Sequence, residues 1–148
     1  MIWWEDFKVG DVTEMGRHTF TEEEIVSFGR QYDPQSFHVD AAAAQAGPFG
    51  GLIASGWQVC ATGMRLVNET FMNRTESFGS PGIEKVRWLK PVRPADTLRY
   101  RMTVVETRAS ASRPAVGLVK HLWEAMNQKG ELVLTLEGWA FFGRRPDA

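Results

Sequence analysis

The sequence has little of several features that would narrow its class. Among its 148 residues there is one cysteine, Cys60, so the chain has no internal disulfide framework, which suits a reducing compartment. The formal net charge is −1, which gives no bulk attraction to nucleic acid or to an anionic membrane. No apolar run is long enough to span a bilayer, and residues 1–6 lack the basic and apolar regions of a signal peptide. These absences predict a cytoplasmic protein without nucleic-acid or membrane partners.

Several motifs of catalytic chemistry are also missing. The sequence has no Cys/His ligand cluster, no phosphate-cradling glycine loop of the nucleotide-binding type, and no Gly-x-Ser-x-Gly elbow. We therefore predict no metal and no cofactor. What is present is ordinary for a globular protein, with 43% hydrophobic and 24% charged residues. The length suits a single domain over residues 1–148 with a real core.

The first half of the chain predicts short helices and one buried helix. Thr21 and Glu24 have the spacing of a capping box, which marks the start of a first helix. Asp40 is placed to cap a short alanine-rich helix over residues 41–46. The segment 57–71 is apolar on most of its circumference, which predicts a helix buried on nearly all sides.

The second half of the chain changes to a period of two. Residues 98–104 alternate between apolar and polar, residues 118–126 form a second extended run, and residues 127–130 read as a hairpin turn before a last strand. Helices followed by long antiparallel strands predict an α+β fold with the sheet wrapped around the buried helix. Such a sheet leaves edges and apolar surface that a second copy would cover, so we predict a homodimer or a dimer of dimers.

Asp33 and His38 are the candidates for chemistry. A carboxylate and an imidazole are the usual pair for moving protons near neutral pH. Pro34 stiffens the loop between them and keeps Asp33 out of the helical conformation, so that both side chains can turn inward. The same residues are compatible with a simple Asp-Pro turn and a packed histidine, and residues 32–40 alone leave both interpretations open.

A second candidate lies where the buried helix begins. The glycine- and proline-rich stretch 47–51 leads into Ala54, Ser55 and Gly56, which are small residues at the expected helix start. Ser55 is a good N-cap, and uncovered backbone N–H groups at this point are able to hold an oxyanion or a polarised carbonyl. Ordinary capping of a loop-to-helix transition is the alternative.

Taken together, these segments resemble the MaoC-like dehydratases, a family that includes the (R)-specific enoyl-CoA hydratases. The resemblance rests on residues 32–40, 50–56 and 86–98, which follow in the order expected. It implies a hot-dog fold, in which an antiparallel sheet wraps a long central helix. It also implies an assembly that is at least dimeric, with an acyl-CoA tunnel at or near the subunit interface.

The resemblance also assigns roles to individual residues. Asp33 and His38 match the catalytic acid–base pair, and the Gly56 N–H matches the group that holds the thioester carbonyl. Family members often carry histidine where this chain has Ser55, so the acyl group accepted by a known relative does not transfer. The residues expected to contact the substrate around this centre are Ser55, Trp57, Phe49 and Gln35.

The predicted function is hydration of an enoyl-CoA to a 3-hydroxyacyl-CoA, with R specificity, or the reverse dehydration. A hot-dog thioesterase is an alternative, although the buried helix has no acidic residue before Glu69 to direct water at a carbonyl. A non-catalytic acyl-CoA-binding regulator is another, although the sequence shows no DNA-binding segment beside the domain.

The remaining ionisable residues have predicted structural roles. His18, His121 and Cys60 have no neighbours in sequence that suggest chemistry. A run of basic side chains allows two interpretations, a solvated strand face or a site for the phosphates of coenzyme A. The run comprises Lys85, Arg87, Lys90, Arg93, Arg99 and Arg101.

Overall fold

Five strands and four α-helices build the fold. The computed structural model describes residues 1–147. The elements follow in the order β1 (Val12–Thr19), α1 (Glu22–Tyr32), α2 (Ser36–Val39), α3 (Ala41–Ala46), α4 (Gly56–Thr70), β2 (Gly82–Trp88), β3 (Thr97–Ala109), β4 (Val116–Met126) and β5 (Leu132–Gly143). All strand pairs are antiparallel, in the order β1-β3-β4-β5-β2. The predicted α+β class and its hot-dog arrangement are confirmed.

The predicted caps and turn are present. The Glu24 N–H donates to Thr21 Oγ1 at 3.2 Å, and the Thr21 N–H donates to Glu24 Oε1 at 3.0 Å, which completes the capping box of α1. Asp40 Oδ1 accepts the N–H of Ala43 at 3.1 Å and so caps α3. The β4–β5 hairpin turns at Gly130, whose φ of +75° favours glycine.

Helix α4 packs closely on one face of the sheet. Gly63 permits this approach, because a Cβ there would lie 3.0 Å from the rings of both Tyr100 and Trp123. The Tyr100 hydroxyl donates to the Val59 carbonyl at 2.7 Å and ties β3 to α4. The alternation predicted along β3 is real, since four side chains at every second position are buried beneath α4: Leu98, Tyr100, Met102 and Val104.

The prediction that α4 is buried on nearly all sides is wrong. Val59, Gly63 and Val67 face the core, but Trp57 is 61% exposed and Met64 is 46% exposed. A sequence pattern counts apolar residues around the helix without distinguishing those that meet the sheet from those that face away from it. The outer apolar side of α4 therefore needs another explanation.

The edge strand β2 carries much of the remaining apolar surface. Ile83, Trp88 and Leu89 are each nearly half exposed on or beside this strand. Their exposure agrees with the predicted second copy but does not test it, so the assembly stays a prediction here. No helix among residues 1–147 is long and apolar enough to cross a membrane.

Candidate active site

Asp33 sits at the end of α1 because the next residue is proline. Pro34 disfavours the helical conformation at the residue before it, and Asp33 adopts φ −150° and ψ 73°. Its N–H still donates to the Gly29 carbonyl at 2.8 Å, which fixes its backbone to the last turn of the helix. The carboxylate is thereby turned away from the axis of α1 towards the start of α4.

His38 is buried on the one-turn helix α2, with 4% of its surface exposed. The expected irregular loop is therefore a short loop followed by a helical turn. Gly29 allows α2 to pack against α1, since a Cβ at Gly29 would lie 3.0 Å from both His38 Cβ and Val39 Cγ1. This requirement was not predicted from the sequence, because it joins two segments through packing alone.

The chain before α4 locks the imidazole in place. The Ile53 N–H donates to the Phe37 carbonyl at 3.0 Å, which holds this stretch against α2. In return, His38 Nδ1 lies 2.6 Å from the Ile53 carbonyl oxygen. A carbonyl oxygen can only accept, so Nδ1 must carry a hydrogen and Nε2 is the nitrogen left for chemistry.

The free nitrogen of His38 faces the carboxylate. Nε2 lies 3.1 Å from Asp33 Oδ2. With Nδ1 protonated, this contact is favourable only when a proton lies between Nε2 and Oδ2, so the pair holds one transferable proton. Asp33 also receives the Gln35 side-chain amide on Oδ1 and the Ser55 hydroxyl on Oδ2, each at 2.8 Å.

These contacts set the ionisation of Asp33. Burial of the carboxyl raises its pKa, but the hydrogen bonds from Gln35 and Ser55 and the interaction with His38 together outweigh that effect. The net result is a pKa of Asp33 below the ordinary value of 3.8. The group is therefore a carboxylate at neutral pH.

Gly56 begins α4 beside this pair. Within the described residues its N–H has no acceptor, as expected for the first residue of a helix. We expected no side chain to cover Gly56. This expectation is wrong at the α-carbon, where Trp88 lies against the glycine. The Trp88 indole N–H donates to the Gly56 carbonyl at 2.9 Å, and a Cβ on Gly56 would fall 2.4 Å from the indole ring.

A cavity of about 510 Å³ brings most of the predicted residues together. We call it the catalytic cavity, and six of the seven lie on its wall: Asp33, Gln35, His38, Phe49, Gly56 and Trp57. Ser55 does not line it, since this side chain is fully buried. Its Oγ accepts the Trp57 N–H at 3.3 Å, as an N-cap does, and donates to Asp33. Ser55 thus lies behind Asp33, in contact with its carboxylate, and its expected contact with substrate has no support in this geometry.

Several of the other ionisable residues have partners of their own. His18 lies outside the catalytic cavity, where its ring contacts both Glu24 and Arg65. Burial raises the pKa of the Cys60 thiol. Of the basic run, Arg101 pairs with Glu124, and Lys90, which lines the catalytic cavity, pairs with Glu131. The two interpretations of that run, a solvated strand face or a site for the phosphates of coenzyme A, stay predictions. Among residues 1–147, no group of three His, Cys, Asp or Glu side chains is arranged to hold a metal.

A helix packed on a five-stranded antiparallel sheet, with an Asp–His pair beside the first turn of the helix, defines a hot-dog protein with a site suited to proton transfer. The family model described as the MaoC like domain matches residues 8–125. The chain belongs to this family.

Known relatives extend the likeness to the whole chain. A MaoC-like dehydratase from Rhodospirillum rubrum is 35% identical, with a TM-score of 0.89 over 99% of this chain and 100% of that one. Protein YdeM of Bacillus subtilis (strain 168) is 30% identical over 126 residues, which are 84% of this chain and 87% of YdeM. A mesaconyl-CoA hydratase from Cereibacter sphaeroides is 40% identical over 67 residues, which are 45% of this chain and 19% of that protein.

Proposed function

We propose that this protein is a hydratase/dehydratase that interconverts an enoyl-CoA and the (R)-3-hydroxyacyl-CoA. The observation that carries the proposal is the Asp33–His38 pair, 3.1 Å apart, on the wall of the same cavity as the free N–H of Gly56. Membership of the MaoC-like family supports the reaction class. The part of coenzyme A in the reaction is that of a substrate, and no separate cofactor is proposed.

The three groups divide the reaction between them. The oxygen of a water molecule bonds to the β-carbon, one water proton passes to the pair, and the proton held by the pair passes to the α-carbon. The pair therefore ends as it began, and either of Asp33 and His38 is placed to deliver the second proton. As the α-carbon gains electron density, the thioester oxygen becomes negative and accepts the Gly56 N–H.

The proposal is tested with purified protein and crotonyl-CoA. We expect loss of the ultraviolet absorbance of the enoyl thioester, with (R)-3-hydroxybutyryl-CoA as the product on chiral chromatography. A free-thiol assay on the same samples should show no release of coenzyme A. Thiol release without hydration on crotonyl-CoA and on a longer enoyl-CoA would instead identify a thioesterase and end the proposal.

The alternatives have less support in the site. A thioesterase whose carboxylate lies on the central helix itself has less support, because the first acidic residue of α4 is Glu69, at its far end. Asp33 lies beside the start of that helix, so the free-thiol assay decides whether it directs water at the carbonyl. A module that only binds acyl-CoA does not need a carboxylate fixed in one orientation. The Asp33 carboxylate is nevertheless fixed by contacts with Gln35, Ser55 and His38.

Ser55→Ala tests whether the Ser55 hydroxyl tunes the Asp33 carboxylate in addition to capping α4. Loss of the hydroxyl removes one donor to Asp33, so the pKa of Asp33 should rise and the acid limb of the kcat/KM profile should move to higher pH. The lost cap should lower the free energy of unfolding by about 0.5–2 kcal/mol. Because the pKa of Asp33 is lowered in the folded protein, its ionisation stabilises the fold at pH values above its ordinary pKa. This stabilisation is lost as the pH falls through the pKa of the folded state. It should be smaller in Ser55→Ala, where the pKa of Asp33 is lowered less.

Asp40→Ala is the matched control for Ser55→Ala. It removes the N-cap of α3 without touching Asp33, so it should lower stability and leave the acid limb in place. If both variants shift the pH profile equally, or if Ser55→Ala does not shift it, the hydroxyl does not tune the carboxylate.

We also propose that the active form is a homodimer or a dimer of dimers. The exposed edge of β2 and the apolar side chains beside it support the proposal. Light scattering at micromolar concentration measures the mass directly, and a monomer would contradict it.

A further inference from the structure

The loop that leads from α3 towards α4 is tied to the rest of the fold by an arginine. We call residues 48–51 the Phe49 loop, in which Gly50 adopts a φ of +66° that favours glycine. The Gly50 N–H donates to the Gly47 carbonyl at 3.2 Å, which closes the turn on itself. Within the described residues 1–147, the hydrogen bond that joins this loop to another element is donated by the Arg93 guanidinium to the Phe49 carbonyl, at 2.6 Å.

Arg93 is itself firmly mounted on the turn between β2 and β3. Its backbone N–H donates to Asp96 Oδ2 at 2.9 Å, and Asp96 Oδ1 accepts the side-chain amide of Gln128 at 2.8 Å. The turn is thereby braced on the β4–β5 hairpin. Arg93 does not lie on the wall of the catalytic cavity, so its contact with the reaction is indirect and runs through Phe49.

The Phe49 ring reaches the catalytic histidine through one further ring. Phe49 lies on the wall of the catalytic cavity and meets Phe37 edge-to-face, with the ring centroids 5.1 Å apart. Phe37 in turn meets the His38 ring edge-to-face at 4.6 Å. Contacts of this kind favour one relative orientation of the rings. The row of rings therefore restrains the plane of the imidazole from the side of the Phe49 loop.

The His38 imidazole needs a restraint of this kind. Its hydrogen bond from Nδ1 to the Ile53 carbonyl, at 2.6 Å, fixes one point of the ring and leaves the ring free to tilt about that bond. The tilt decides where Nε2 points, and Nε2 has to meet Asp33 Oδ2, 3.1 Å away. A misplacement of about 1 Å at reacting groups is enough to cost roughly 10²-fold in rate.

We propose that Arg93 is a positioning residue for His38. By holding the Phe49 carbonyl, it keeps the rings of Phe49 and Phe37 packed against the imidazole. The proposal rests on the proposed function, because its kinetic test needs turnover of an enoyl thioester. It requires no contact between Arg93 and substrate, which distinguishes it from a role as ligand of the coenzyme A phosphates.

Arg93→Ala is first tested on crotonyl-CoA and on crotonyl-pantetheine, which has the same thioester and no phosphate. We expect kcat to fall about tenfold on both substrates, with KM changed by less than about twofold, because the imidazole is misplaced while substrate contacts remain. Arg99→Ala, which removes an exposed arginine of β3 outside the catalytic cavity, should change neither parameter. A loss confined to KM for crotonyl-CoA would make Arg93 a phosphate ligand and overturn the proposal, as would an unchanged kcat on both substrates.

Phe49→Ala tests the path from the arginine to the imidazole. It removes the ring and keeps the carbonyl that Arg93 binds, so it should lower kcat by itself. Adding Arg93→Ala to this background should lower kcat by less than about twofold more, because the ring that the arginine positions is already gone. Full multiplication of the two losses would show that Arg93 acts by another route.

Nuclear magnetic resonance of the imidazole nitrogens tests the proposal without catalysis. In Arg93→Ala we expect the hydrogen on His38 Nδ1 to exchange with water at least about tenfold faster, because the ring opens more often from the Ile53 carbonyl. His18 and His121 lie outside the catalytic cavity and should keep their signals, which excludes a general loosening of the fold. If no enoyl thioester is hydrated and the His38 signal still changes, the proposed function fails and the positioning role stands. An unchanged His38 signal would overturn the positioning role, whatever the turnover.

Discussion

Asp33→Asn and His38→Ala are each expected to lower kcat/KM for hydration by about 10²–10⁴-fold, and the double variant by little more than the worse single one. Both residues act on one water molecule and share one transferable proton across 3.1 Å, so loss of either interrupts the same path. Initial rates for the two single variants and the double variant on the best enoyl-CoA complete the cycle.

The fold of each variant has to be measured separately. Asn keeps the shape of Asp33, whereas His38→Ala leaves the Ile53 carbonyl without its buried partner and should cost about 1–3 kcal/mol of stability. Asp40→Asn serves as the control, because it neutralises a nearby exposed carboxylate and keeps a good N-cap. Effects that multiply in the double variant would show that the residues act independently, and near-normal turnover in either single variant would remove its catalytic assignment.

The predictable parts of the site are those determined by contacts within short segments of the sequence. Pro34 ends α1 at Asp33 by a local steric rule, and Thr21, Asp40 and Ser55 cap helices through contacts within a few residues. The period of two along β3 likewise marks which side chains face α4. In each case the physical cause lies within a few residues, so one sequence was enough.

The parts that were not predictable depend on packing between distant segments. Trp88 covers Gly56 from a strand 32 residues further along the chain, and Gly29 makes room for His38 between two helices. Ser55 reaches Asp33 across 22 residues, so its positioning role was hidden behind its role as an N-cap. The outer side of α4 was misjudged for the same reason, since its apolar residues face a cavity and solvent rather than the core.

The contact with Trp88 changes what a substitution at Gly56 can test. Gly56→Ala should impair turnover, because its Cβ would fall 2.4 Å from the indole ring and displace Trp88 from its hydrogen bond to the Gly56 carbonyl. This loss would say nothing about the N–H. Truncating the indole in Trp88→Ala removes the obstacle, and adding Gly56→Ala to that background should then cause little further loss in kcat.

In the Trp88→Ala background, Gly56→Pro tests the N–H itself. Proline is well tolerated at the first position of a helix, where its missing N–H has no helical acceptor, and Ser55 already has the extended conformation (ψ 137°) that precedes proline. The proline and alanine variants then differ chiefly in the oxyanion donor. We expect kcat of the proline variant to be about 10²–10³-fold below that of the alanine variant, with similar thermal unfolding. Equal kcat values in two folded proteins would mean that the Gly56 N–H does not hold the thioester oxygen.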